Sequence, residues 1–76
     1  MDNIDELVAD VFGLPVAEVR DGLTPEDVPN WDSLNHLRLV TAIEEELGLT
    51  LSMAEIQSID SVGRLRELIA LKQQTQ

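Results

Sequence analysis

In every segment of this chain where apolar residues recur, they do so at helical spacing, and no stretch alternates as a strand would. Ile4, Leu7, Val8, Val11 and Phe12 place a first helix from about Asn3 to Phe12. Asp2 or Asn3 can cap it, Asp5 and Glu6 suit the positive end of its dipole, and Gly13 followed by Pro15 ends it. A second helix is predicted from Ser33 to about Leu47, with Asp32 or Ser33 as N-cap and Gly48 at the stop. Its apolar stripe reads Leu34, Leu37, Val40, Ile43 and Leu47, widened by Leu39. Ser52 and Glu55 have capping-box spacing, so the segment from Ser52 to Ser58 reads as a short third helix with Met53, Ile56 and Ile59 on its apolar face. The last helix begins after Asp60 or Ser61 and runs to about Leu71, turning Val62, Leu65, Leu68 and Ile69 inward. The polar tail from Gln73 to Gln76 is expected to fray.

Between Gly13 and Asp32 lies a long connection punctuated by Pro15, Gly22, Pro25 and Pro29, with a turn at Asp21-Gly22. Val16, Val19, Leu23 and Val28 recur through it, so it is expected to pack on the core, with a short helical turn near Val16 to Val19. An irregular connection of this length inside a small domain tends to be functional. The expected fold is all-α: a small four-helix bundle with a long loop between helices one and two and a short third helix, forming a single domain over residues 1–76.

A chain of 76 residues holds one thin core. Fifteen acids against five bases give a net charge of -10, which opposes compaction and excludes nucleic acid as a partner, since phosphate binding needs clustered Lys and Arg. Solubility would explain the acidity, as would attraction to basic patches on protein partners. Arg64, Arg66 and Lys72 fall in the last helix, so the charge is polarised along the chain. Without cysteine there is no disulfide, thiolate metal site or cysteine nucleophile. No long apolar run or basic leader points to a membrane, and the expected location is the cytosol.

Ser33, His36 and Asp32 contain the residue types of a hydrolytic set, but neighbours on one exposed helical turn make neither pocket nor oxyanion hole. Glu44, Glu45 and Glu46 are consecutive and fan out around a helix instead of converging on a metal. Ser33 is different. Taken alone, a serine at a helix start reads as a cap. It also follows a long ordered loop, and a helix N-terminus accommodates a phosphodiester through free N–H groups and the dipole.

Asp32-Ser33-Leu34, set in WDSLNHLRLVTAIEEELG, closely resembles the attachment motif of acyl carrier proteins. Glu44-Glu45-Glu46-Leu47 falls where that family commonly carries acids on its second helix, and LTLSMAEIQSIDSVGRLRELI resembles its third and fourth helices. The resemblance covers essentially the whole chain. It implies a non-enzymatic carrier. A phosphopantetheinyl transferase would move 4′-phosphopantetheine from coenzyme A to Ser33, with Asp32 and Leu34 as motif neighbours, and the arm's thiol would hold the acyl cargo as a thioester. The resemblance further implies docking of acyl-loading and acyl-processing enzymes on Leu34, Asn35, Arg38, Thr41, Glu44 and Glu45. Leu37, Val40, Ile43, Leu47, Leu51, Ile56, Ile59 and Val62, core positions on the plainer reading, would be candidates to line an acyl cleft.

The chain departs from the fatty-acid pattern at Asn35, His36 and Arg38, where acids usually follow the motif leucine, and at Trp31 before the aspartate. A positive Arg38 opposes a basic partner surface, which points to a dedicated partner set in a polyketide or modified-acyl pathway. The rivals are an aminoacyl or peptidyl carrier, which shares the helical plan, and an unmodified acidic adaptor. Met1 just before helix one and the short tail suggest a discrete protein acting in trans, by default a monomer.

Overall fold

The computed structural model describes residues 3–74. Helix α1 spans Asn3–Phe12, a 3₁₀ turn Val16–Glu18, α2 Ser33–Leu47, α3 Met53–Ser58 and α4 Val62–Gln74. The expected all-α plan, with its long first connection and short third helix, is the one the chain adopts. Asp2, one of the two expected caps of α1, lies outside the described residues, while Asn3 is itself helical. At the other end α4 runs past Leu71 through Gln73 and Gln74, so that part of the expected frayed tail is helix; Thr75 and Gln76 lie outside the described residues. Glutamine is a good helix former, and nothing in the sequence stops α4 at Leu71. Among the described residues no helix is long and apolar enough to cross a membrane.

Local chemistry sets the ends of the helices. Gly13 and Gly48 both take the left-handed backbone (φ 68° and 67°) that a side chain would disfavour, and they close α1 and α2. Asp32, not Ser33, caps α2: its side chain accepts from the Asn35 amide at 2.9 Å. Ser52 and Glu55 form the expected capping box on α3. Ser61 accepts from the Arg64 amide at 3.0 Å and so caps α4.

The core is aliphatic around one aromatic pair. Val8 and Phe12 of α1, Leu39 and Ile43 of α2, and Val62 and Leu65 of α4 are sealed from solvent. The stripe on α2 differs from expectation. Leu39, Val40 and Ile43 are buried and Leu47 packs against them, whereas Leu34 and Leu37 are 61% and 51% exposed. At about 100° per residue Leu34 lies opposite Ile43, so one helix carries an inner and an outer apolar stripe. On the loop, Val19, Leu23 and Val28 are buried as expected, but Val16 is exposed, because a single 3₁₀ turn turns only one side to the core.

The long loop is held by α4. The first amides of a helix have no partner within it. Here Val62 N donates to Leu23 O at 3.0 Å and Gly63 N to Asp21 O at 2.9 Å. A Cβ at residue 63 would stand 3.1 Å from the Asp21 carbonyl oxygen, so glycine allows this close approach. The basic residues of α4 add ion pairs: Arg66 joins Asp5 of α1 and, at 2.7 Å, Asp21 of the loop, while Lys72 reaches Glu55 of α3 at 2.8 Å.

Two outcomes are expected. Ile43→Ala should lower the free energy of unfolding by about 2–5 kcal/mol in urea titrations, because it leaves a cavity between α1 and α2. The Glu55 carboxyl is held below the usual carboxylate range, first by the Lys72 hydrogen bond and then by the Ser52 amide. Stability from this group is full above the ordinary carboxylate pKa of about 4.3 and is lost as pH falls through the lower folded value. Glu55→Gln should therefore flatten the acid side of the stability profile measured by urea midpoints at stepped pH.

Candidate cofactor-attachment site

The residues before α2 are each tied down. Asn30 donates through Nδ2 to Phe12 O at 3.1 Å, satisfying a carbonyl at the end of α1. Its own carbonyl accepts from Asn35 Nδ2 at 2.7 Å. Trp31 is buried and stacked on Phe12, with ring centroids 4.9 Å apart. Asp32 makes the cap. Ser33 is thus the first helical residue, exposed, and nothing among the described residues hydrogen-bonds its hydroxyl. The Ser33 and Leu34 amides likewise have no partner among the described residues, whereas the Asn35 and His36 amides are taken by Asp32. A nucleophilic hydroxyl beside free donors at the positive end of a helix fits a phosphodiester.

An open groove of about 540 Å³ begins at Ser33 and runs between α2 and α3. Pro25, Trp31, Asp32, His36, Leu37, Met53, Ile56, Gln57 and Ile59 line the rest of it. Of the eight candidates for an acyl cleft, only Leu37, Ile56 and Ile59 face this groove. Val40, Ile43, Leu51 and Val62 are buried in the core and Leu47 packs against it.

The expected docking residues divide. Leu34, Arg38, Thr41 and Glu45 share one shallow outer depression on α2 with Leu37 and Ala42. Asn35 and Glu44 do not join them. Asn35 ties the preceding loop, and Glu44 Oε2 accepts from Leu51 N at 2.9 Å, holding the connection into α3. Among the described residues Arg38 has no ion pair, and no acid lies three or four positions from it on the helix.

His36 is half-buried, and both of its ring nitrogens are occupied. Trp31 Nε1 donates to Nδ1 at 3.0 Å, and Nε2 lies 2.9 Å from Ile56 O. The ring has no nitrogen left for Ser33. Sequence reasoning missed this pair, as well as Pro25 and Gln57 as groove walls. The signal available was Trp31 and His36 standing where the family pattern has other residues.

Residues 2–69 match the family model described as the phosphopantetheine attachment site. The chain belongs to that family. Among curated relatives, this member is 39% identical over 71 residues to polyketide-8 synthase acyl carrier protein 2 of Streptomyces avermitilis, covering 93% of this chain and 82% of that protein. It is 27% identical over 67 residues to the acyl carrier protein of Saccharopolyspora erythraea, covering 88% and 70%. The same fold recurs in the solution structure of a holo acyl carrier protein from Geobacter metallireducens, with TM-score 0.86 and 24% identity, over 97% of this chain and 85% of that one. It recurs also in a candidate acyl carrier protein from Mycobacterium tuberculosis, with TM-score 0.82 and 22% identity, over 91% and 92%. This phosphopantetheine-attachment protein is therefore a carrier and not a catalyst, with covalent phosphopantetheine as its cofactor. Its function engages a phosphopantetheinyl transferase and acyl-processing enzymes.

The cap gives a direct check on this geometry. Asp32→Ala should cost about 1 kcal/mol in chemical denaturation, and Asp32→Asn less, because asparagine still accepts from the Asn35 amide.

Proposed function

We propose that Ser33 accepts the arm and that the chain carries acyl intermediates of a polyketide or other modified-acyl pathway. The observation that carries the first part is the exposed Ser33 hydroxyl at the start of α2, which, like the Ser33 and Leu34 amides, has no partner among the described residues, with the groove opening alongside. In the transferase complex this hydroxyl attacks the phosphorus of coenzyme A that bears the pantetheine. The P–O bond to the adenosine bisphosphate breaks, a phosphodiester to Ser33 forms, and the hydroxyl proton passes to a base of the transferase. The start of α2 contributes N–H donors and the helix dipole, which favour the phosphodiester charge. Asp32 contributes by capping, which leaves the serine oxygen unoccupied. The arm's thiol then carries the acyl group as a thioester.

The pathway assignment rests on Arg38 and on the polyketide synthase relative. Arg38, without an ion pair among the described residues, lies on the outer face of α2 and repels a basic docking surface, most strongly at low salt. Leu34 and Leu37 supply the apolar part of that face, with Thr41 and Glu45 alongside.

Incubation with coenzyme A and a broad-specificity phosphopantetheinyl transferase should raise the intact mass by one phosphopantetheinyl group, and Ser33→Ala should abolish the gain. An unchanged wild-type mass would sink the carrier assignment at this serine. For the pathway, Arg38→Glu should raise the kcat/KM of a fatty-acid ketosynthase with a basic docking surface by roughly 3- to 10-fold at low salt. Efficient elongation of the wild-type acyl form by that ketosynthase would remove the support for a dedicated pathway.

A further inference from the structure

Trp31 and His36 both line the groove beside Ser33, and they are bonded to each other across its floor. An indole nitrogen only donates and a carbonyl oxygen only accepts. His36 therefore accepts at Nδ1 from Trp31 and donates from Nε2 to Ile56 O, which fixes the orientation of the ring. The acceptor is a carbonyl near the C-terminal end of α3 that also accepts from the Ile59 amide at 3.4 Å. The imidazole thus joins three elements: the loop that ends at Asp32, α2 and α3. It is braced from behind, because Trp31 stacks on Phe12 of α1. Beneath this floor the α2 side chains Val40 and Ile43 are 3% and 0% exposed, and they do not face the groove.

We infer that His36, held by Trp31, is a positioning residue that latches α3 onto α2, closes the way from the groove into the core, and so restricts the cargo to acyl groups held in the open groove. The inference rests on Ser33 as the attachment point. The restriction has a chemical direction. Acyl groups that are short, or that carry oxo or hydroxyl oxygens, keep their polar atoms wet along a rim formed by Asp32, Ser33 and Gln57. A long saturated chain can lie along the apolar walls of Pro25, Leu37, Met53 and Ile56 in this open groove, but it does not pass beneath them to Val40, Ile43 or Val62.

The test loads the 76-residue chain from acetoacetyl- and octanoyl-coenzyme A by the same transferase and follows intact mass, NMR and thioester cleavage by hydroxylamine. In wild-type protein the octanoyl chain should give no NOE to the methyls of Val40, Ile43 or Val62, and its thioester should cleave within twofold of the acetoacetyl form. In His36→Ala the Trp31 indole N–H should exchange faster. The octanoyl methylenes should then reach those methyls, and cleavage of that thioester alone should slow at least threefold. His36→Gln, which can still accept and donate, should restore wild-type behaviour. Should His36→Ala fail to fold by circular dichroism, Trp31→Phe keeps the stack, deletes the donor and should give the same shift. Octanoyl contacts with the core in wild-type protein overturn the latch, as does a broken latch that leaves both cleavage rates unchanged. A chain that takes no arm at Ser33 overturns the attachment assignment and this inference with it, and the mass alone distinguishes that failure from the others.

Discussion

The carboxylate of Asp32 on the Asn35 amide decides where α2 begins, and most of the molecule follows from that starting point. A cap one residue later would rotate the helix by about 100° relative to its loop. Leu39, Val40 and Ile43 would then leave the core they now fill, and Leu34 would leave the outer face. The cap can act because the chain delivering it is already fixed. Asn30 closes the end of α1 and Trp31 stands on Phe12, so the last three loop residues enter α2 at a set angle. With Asp32 spent on the cap, the next residue is left with an unoccupied hydroxyl and amide. The position of Ser33 is thus a consequence of packing well behind it.

Charge is managed in the same economical way. An excess of acids on a small chain with a thin core is a standing repulsion, and surface ion pairs return little for each contact. Apart from Arg64 with Glu67 inside α4, the pairs described join different elements. Arg66 links α4 to α1 and the long loop, and Lys72 links α4 to α3. With the bases concentrated on α4, the outer face of α2 carries Glu45 and Arg38, and Arg38 has no ion pair among the described residues. Glu44 belongs to the same acidic run but serves the fold, because its carboxylate meets the Leu51 amide.

The parts legible in the sequence were those that depend on neighbours in the chain. The glycine stops of α1 and α2, the capping box at Ser52 and Glu55, and the buried valines and leucine of the loop are local patterns, and each stands as expected apart from Val16. The phase of α2 was not legible, because its leucines make two stripes and periodicity alone cannot say which one meets α1. Periodicity alone therefore groups Leu34 and Leu37 with Val40 and Ile43 in a single stripe, and only the family resemblance turns Leu34 outward. The choice between Asp32 and Ser33 as cap needed geometry, since both side chains can accept from an amide. Contacts between distant segments were invisible: nothing near His36 in the sequence announces the carbonyl of Ile56, and nothing near Glu44 announces the Leu51 amide. At the site, the serine and its motif could be read directly, while the groove walls depend on where α3 comes to rest.

That resting place is the most conditional feature of the fold. A helix of six residues is far below the length at which a helix sustains itself in water. Its position is borrowed from the capping box, from Lys72 on Glu55, from His36 on Ile56 and from the burial of Ile59 at its end. The opposite wall of the groove belongs to α2, a helix of 15 residues locked into the core. The two walls therefore differ in how firmly they are held, and this suits a carrier. On the proposal that Ser33 bears the arm, the arm has a root that does not move, whereas the cargo has a neighbour that can yield when an enzyme draws it out. Rigidity lies on the Ser33 side and the adjustable contacts on the α3 side, with His36 spanning the two.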